Sequence, residues 1–334
     1  MKRVHLCGIE AAAEIYRRTA PAIPFEGYGC RFDCDHDGTG WLVLAAPISS
    51  SFTSRIPKTR RILVVGEPSS MTSWSPQFIN QFGILLSPYF IAGFMGHWVE
   101  SHPGLPWFYG WNRLTDRVLT HSELRDMAPT KKTAELSVVL SNKVVHAGHR
   151  ARLRFVEYLR QEMGERLAVF GRGIRNVDDK AEAIDPYQYH LVLENSCEAN
   201  YWSEKLADAY LGYSFPIYAG CPNVLDWFDD QSLVRIDIDD AETAAKRVRD
   251  VVDSQLFESR REIIAQTRQR VMNELSFPAC IADALKGFQD DESVMKGSEV
   301  IHPPSPIRLG TRVQREAKRL YYKINSKVLK SVRS

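Results

Sequence analysis

The 334-residue chain has no apolar run near the roughly 20 residues that a membrane-spanning helix requires, so no such helix is expected. Its opening stretch, MKRVHLCGIEAAAEIYRR, is charged and lacks the long apolar core of a secretory signal, which makes a cytoplasmic location the default expectation. Cysteine is sparse, and its six positions (7, 30, 34, 197, 221 and 280) follow no repeated spacing. That pattern argues against both a disulfide framework and a zinc ribbon. Cys30, Cys34 and His36 stand close to Asp33, Asp35 and Asp37, but the spacing matches no standard metal site and reads as a solvated acidic turn. No metal cofactor is therefore expected. The formal net charge is only +2, and nucleic acid is not an expected partner.

That small charge is unevenly spread. Residues 306–334 carry nine Lys or Arg and one acid, a charge of +8, leaving 34 basic and 40 acidic residues elsewhere. In this basic stretch Val313, Ala317, Leu320, Tyr321, Ile324, Val328 and Val332 recur at helical spacing. The combination predicts an amphipathic helix on an anionic membrane surface, peripheral to its inner face. A helix docked on another subunit or on the acidic body is the alternative.

The body has the 44% hydrophobic and 25% charged content of a globular protein and is long enough for two domains. Strand-like runs at 4–7, 41–45, 61–66 and 82–86 place an α/β domain in residues 1–133, with a helix expected over 10–18. A polar linker at 130–136 precedes a second α/β domain at 134–295, opened by the strand Leu136-Ser137-Val138-Val139-Leu140. Its last strand is expected near 233–240, followed by helices at about 241–255 and 256–273 and part of another at 281–288. The segment 93–111, GFMGHWVESHPGLPWFYGW, reads as a packed loop dense in Gly, Pro, His and aromatic residues.

Residues 189–224 carry the clearest functional pattern. His190-Leu191-Val192-Leu193 suits a buried parallel strand, and Glu194-Asn195-Ser196 falls at its carboxyl end, where open α/β sheets collect ligands. Ser203 can cap a helix starting Glu204-Lys205, so free N–H groups, the dipole and the Lys charge together invite an anion. A second strand, Phe215-Pro216-Ile217-Tyr218, runs into the turn Ala219-Gly220-Cys221-Pro222-Asn223. In the first half, Gly66-Glu67-Pro68 sets another carboxylate at a strand end, and the proline biases Glu67 toward an extended backbone.

LENS (193–196), YWSEK (201–205) and GYSFPIYAGCPNV (212–224) together resemble the signature of the family 10 glycosyltransferases, the α1,3/α1,4-fucosyltransferases. Leu193 stands where that signature has Phe, and Trp202-Ser203 where it has Val-Thr or a close variant. The resemblance extends over about residues 60–290 and is clearest in the second half. It implies a GT-B arrangement, two doubly wound Rossmann-like α/β domains facing one another across a cleft, with the acceptor site in the first and the donor site in the second. It further implies an inverting, metal-independent transfer of L-fucose from GDP-fucose to a saccharide hydroxyl. Glu67 would be the catalytic base; Arg152, Glu194, Asn195, Tyr201, Glu204 and Lys205 would bind donor. Ser141, Asn142, Arg150 and Gly171 are further donor-site candidates, Arg150 as understudy to Arg152. His97, Glu100, His102 and Trp107 are acceptor-site candidates from the aromatic segment, although a structural role suits either histidine. Two other readings stay open: a transferase using another nucleotide sugar, with Leu193 and Trp202 altering the pocket, and a non-catalytic saccharide- or membrane-binding relative.

Overall fold

A parallel strand covered on both faces has to be apolar along its whole length. Two sets of such runs organise this molecule. The computed structural model describes residues 2–7, 30–33, 39–45, 48, 50–140, 147–289, 295 and 297–304. The expected helix at 10–18, Ser141, Asn142 and the basic stretch 306–334 lie outside these described residues. The strands are β1 (Lys2–Cys7), β2 (Cys30–Asp33), β3 (Trp41–Leu44), β4 (Phe52–Ser54), β5 (Arg61–Val64), β6 (Ile84–Ser87), β7 (His97–Glu100), β8 (Trp111–Asn112), β9 (Arg117–Val118), β10 (Ala134–Val139), β11 (Leu167–Phe170), β12 (Tyr187–Leu193), β13 (Phe215–Ala219), β14 (Val234–Arg235) and β15 (Glu299–Ile301). The helices are α1 (Pro76–Ile79), α2 (His121–Asp126), α3 (Ala147–Met163), α4 (Ala181–Ile184), α5 (Glu204–Leu211), α6 (Ala241–Asp253), α7 (Leu256–Asn273) and α8 (Phe277–Leu285).

The first sheet has the order β2-β1-β3-β5-β6-β7 and the second β11-β10-β12-β13-β14, with every neighbouring pair parallel. Alternation along the first sheet divides its buried residues between two cores. Trp41, Val43, Ile62 and Val64 enter one, and Leu42, Leu44, Leu63 and Val65 enter the other. In the second sheet the order reverses direction at β10 and β12, and the crevice beyond the carboxyl ends of these two strands is the expected ligand position in such a topology.

Three expectations need amendment. The segment 93–111 is not all loop: His97–Glu100 forms the edge strand β7, paired to β6 through His97 opposite Ile84 and Glu100 opposite Ser87. An edge strand flanked by glycine and proline shows only partial burial, so its apolar pattern is weak. The last strand contracts to Val234–Arg235. The packing boundaries also differ from those drawn along the chain. Trp107, Tyr109 and Leu124 join the core of the second sheet, whereas Phe277, Cys280, Ile281 and Leu285 of α8 return to the first sheet and pack with Val4, Leu6 and Trp41. The β15 strand likewise pairs antiparallel with β4. Within the expected linker Thr130, Lys131 and Thr133 are exposed, while Leu136 enters the core of the second sheet.

Candidate active site

The carboxyl ends of β10, β11 and β12 open into a cleft of about 770 Å³, lined by Val139, Leu140, Gly171, Leu193 and Asn195 and reached from the first domain by Glu67 and Met71. Gly171 is required where it stands. Its φ is +130°, and a Cβ there would lie 1.5 Å from the Leu140 carbonyl oxygen. On α3 the buried face runs through Arg152, Phe155, Val156 and Leu159, while Arg150 and Arg154 point to solvent. Arg152 thus reaches the cleft, donating through Nη1 to the Leu193 carbonyl at 3.1 Å.

The start of α5 is a lattice of charges. Ser203 caps the helix, accepting from Lys205 N–H, and donates through both N–H (2.8 Å) and Oγ (2.7 Å) to the two oxygens of Glu194. Lys205 Nζ lies 2.9 Å from Ser203 Oγ, 3.1 Å from Glu204 Oε1 and 3.4 Å from Glu194 Oε2. Burial alone would discharge this ammonium, but the Glu204 and Glu194 carboxylates outweigh it and raise its pKa. Glu204 is opposed by the same burial, yet Lys205 and Lys180 hold it down at about 2. Lys180 in turn meets Asp208 Oδ2 at 2.5 Å, and Asp208 Oδ1 accepts from the N–H groups of Phe108 and Tyr109 at 2.9 Å each. Lys180 and Asp208 line the cleft with Arg113 and Arg172. The sequence reading missed all four because their meeting depends on contacts between remote segments.

Glu67 follows β5. Its carboxylate makes no hydrogen bond among the described residues, while its carbonyl accepts from Tyr89 OH at 3.1 Å. Desolvation between the cleft walls raises its pKa above the usual carboxylate value; Glu204 adds to this rise and Lys205 opposes it. A carboxylate with elevated basicity and no hydrogen bond among the described residues, sharing a cleft with Arg152 and Lys205, has the chemistry of a general base beside an anion site.

No family model matches the chain. A stretch of 61 residues is 38% identical to the α-(1,3)-fucosyltransferase FucT of Helicobacter pylori, covering 18% of this chain and 13% of that relative's length. A crystal structure of an α1,3-fucosyltransferase superposes with a TM-score of 0.50 at 17% identity, covering 84% of this chain and 88% of its own. One with GDP-fucose superposes with a TM-score of 0.51 at 15% identity, covering 89% and 93%. The sequence similarity is thus confined to a short stretch, and the likeness to the solved structures is one of fold. The fold is accordingly GT-B.

Within this fold the residues singled out from sequence separate into two groups. Glu67, Arg152, Asn195, Glu204, Lys205 and Gly171 line one cleft. Glu194 and Tyr201 stand behind that surface: the Glu194 carboxylate is engaged with Ser203 and Lys205, and Tyr201 is buried beside Glu194, Glu204 and Glu67. Arg150 lies on the outer face of α3.

The acceptor candidates divide similarly. His97 is exposed on β7, and Glu100 accepts from Asn200 Nδ2 at 2.8 Å. His102 does not face the cleft. Its Nδ1 accepts from Gly104 N–H, its Nε2 lies 2.9 Å from Cys280 Sγ, and its ring stacks on Trp202 at 4.3 Å. Burial lowers its pKa to about 3, making it a neutral packing residue between the domains. Trp107 is likewise a core residue. Trp202 also packs inward, its edge against Phe228, and does not line the cleft wall.

Proposed function

We propose that the chain is an inverting fucosyltransferase that moves L-fucose from GDP-fucose to a saccharide hydroxyl. The observation that carries this reading is the single cleft in which the unengaged Glu67 carboxylate opposes Arg152, Lys205 and the N-terminus of α5. The local similarity to a fucosyltransferase and the likeness of fold to a structure with GDP-fucose support the nucleotide-sugar donor.

In this mechanism Glu67 takes the proton of the acceptor hydroxyl as its oxygen attacks the anomeric carbon from the face opposite GDP. Arg152 and the positive dipole end of α5 meet the diphosphate, where negative charge grows as the bond breaks. Lys205 supplies charge at that end, while Glu204 accepts hydrogen bonds from donor sugar hydroxyls. Among the described residues no group of three His, Cys, Asp or Glu is placed to hold a metal ion, and metal-independent transfer forms part of the proposal. The basic stretch 306–334 would hold the enzyme on an anionic membrane surface at the cytoplasmic face.

The deciding experiment incubates purified protein with GDP-fucose and a panel of saccharides, following GDP release and the anomeric configuration of the product. Acceptor-dependent release with inversion is expected and should be unchanged by EDTA. Turnover of a different nucleotide sugar alone would overturn the donor assignment, and activity lost to EDTA and restored by Mn²⁺ would overturn metal independence. For the basic stretch, full-length protein should co-sediment with anionic liposomes while protein ending at Ile301 does not. Equal sedimentation would refute membrane attachment.

A further inference from the structure

Pro68, next to the proposed base, begins a turn closed by Met71 N–H to the Pro68 carbonyl at 2.9 Å. In such a turn the N–H groups of the two central residues point outward, as they do at the start of a helix. Here the partner that meets them comes from the other domain. Glu198 Oε2 accepts from Ser69 N–H at 3.0 Å, and Glu198 Oε1 accepts from Ser70 N–H at 3.2 Å. The same Oε1 accepts from Ser196 Oγ at 2.7 Å, and Ser70 Oγ lies 3.4 Å from Ser196 Oγ. The carboxylate therefore caps the turn in a bidentate way across the cleft.

The turn is held from the other side as well, because Tyr89 OH donates to the Glu67 carbonyl. Two residues beyond Glu198, the strained Asn200 (φ +60°) donates to Glu100 on β7 and accepts from Asn223 Nδ2 at 2.8 Å. Residues 194–200 thus form a strap. Its first end belongs to the α5 charge lattice through Glu194, Asn195 lines the cleft, and Glu198 and Asn200 grip the first domain.

We infer that Glu198 is a positioning residue, a clasp that fixes the turn carrying Glu67 against the donor motif so that the base is set by the same segment that lines the donor cleft. The catalytic consequence rests on the function proposed above; the clasp itself does not. Gln at 198 keeps one acceptor and turns an amide toward the second N–H, whereas Ala removes both acceptors. Loss of the clasp leaves the phosphate-facing groups in place and frees the turn.

Hydrogen–deuterium exchange of residues 67–72 in the ligand-free proteins should speed about tenfold or more in Glu198→Ala and less in Glu198→Gln. GDP affinity should stay within about threefold of wild type, measured by calorimetry, while turnover falls in the order wild type, Gln, Ala. This split between turnover and GDP affinity, with partial rescue by Gln, is not the signature of general destabilisation. Exchange in both variants indistinguishable from wild type would overturn the clasp, as would GDP affinity and turnover falling together. A wild-type protein that turns over no nucleotide sugar would sink the proposed function instead, and the exchange comparison would still decide the clasp.

Discussion

At the carboxyl edge of the first sheet Glu67 carries a carboxylate with no hydrogen bond among the described residues. At the edge of the second sheet, Glu194, Glu204 and Asp208 are each tied to a lysine. Both edges line one cleft, but they bear opposite relations to their own charge. The second is a nearly neutralised lattice in which every carboxylate fixes the direction of a cation or a helix start, and such preorganisation suits holding a charged ligand. The first leaves its carboxylate partly open to solvent, without a hydrogen bond among the described residues and with a raised pKa, a cost in stability that is useful for accepting a proton. If the two edges have these separate tasks, changes at one should alter chemistry alone and changes at the other should alter binding first.

The largest expected effect is at Glu67. Replacing it by Gln should reduce turnover by about 10²- to 10⁴-fold, the usual worth of general base catalysis, while leaving GDP affinity unchanged in a calorimetric titration. Stability gives an independent check. Because the folded pKa is raised, the contribution of this group is fully present below its unfolded pKa and is lost as pH rises through the folded value. Ionised Glu67 is therefore a burden at neutral pH. The Gln variant should melt at or above the wild-type temperature there, with the difference vanishing in acid. Near-normal turnover would remove Glu67 as the base and direct attention to Glu100 or His97.

Lys205→Ala should act in the other manner. A charge-assisted hydrogen bond contributes about 1.5–3 kcal/mol, so GDP should bind roughly tenfold to hundredfold more weakly, and turnover should fall with it. The substitution also leaves the fully buried Glu194 side chain without its cation, so the melting temperature should drop, unlike that of Glu67→Gln. Unchanged GDP affinity would break the distinction between a binding edge and a chemical edge.

How much of this contrast was legible in the sequence depends on distance along the chain. β12, the Ser203 cap and the Glu204-Lys205 start all lie within 19 residues, and local rules placed them together. α7 was expected at 256–273 and spans Leu256–Asn273, with the buried Phe257, Ile264 and Val271 recurring every seven residues along one face. Arg152 could be told from Arg150 and Arg154 once the α3 face defined by Phe155, Val156 and Leu159 was set in three dimensions. By contrast, Lys180 meets Asp208 across 28 positions and Glu198 meets Ser69 across 129, and no periodicity reports such pairs. His102 was both an acceptor-site candidate and a candidate structural histidine, because glycine and aromatics surround it. Those neighbours serve close packing, with Cys280 of α8 closing over the ring.

The smallest expected effect joins the two edges electrostatically. Glu204 is among the causes that raise the Glu67 pKa, whereas Lys205 lowers it. A base works only when deprotonated, so turnover should fall as pH drops through the raised Glu67 value. Replacing Glu204 by Gln removes a negative charge that disfavours ionised Glu67, and the acid limb should therefore move to lower pH. Lys205→Ala removes a positive charge that favours it, and its acid limb should move to higher pH. Each substitution also lowers the maximal rate, through lost sugar contacts in one and weaker diphosphate binding in the other. The position of the limb is independent of that height and can be read from kcat profiles normalised to their own maxima. Opposite displacements would show that Glu67 controls the limb and feels the lattice across the cleft; displacements of the same sign would assign the limb to another group.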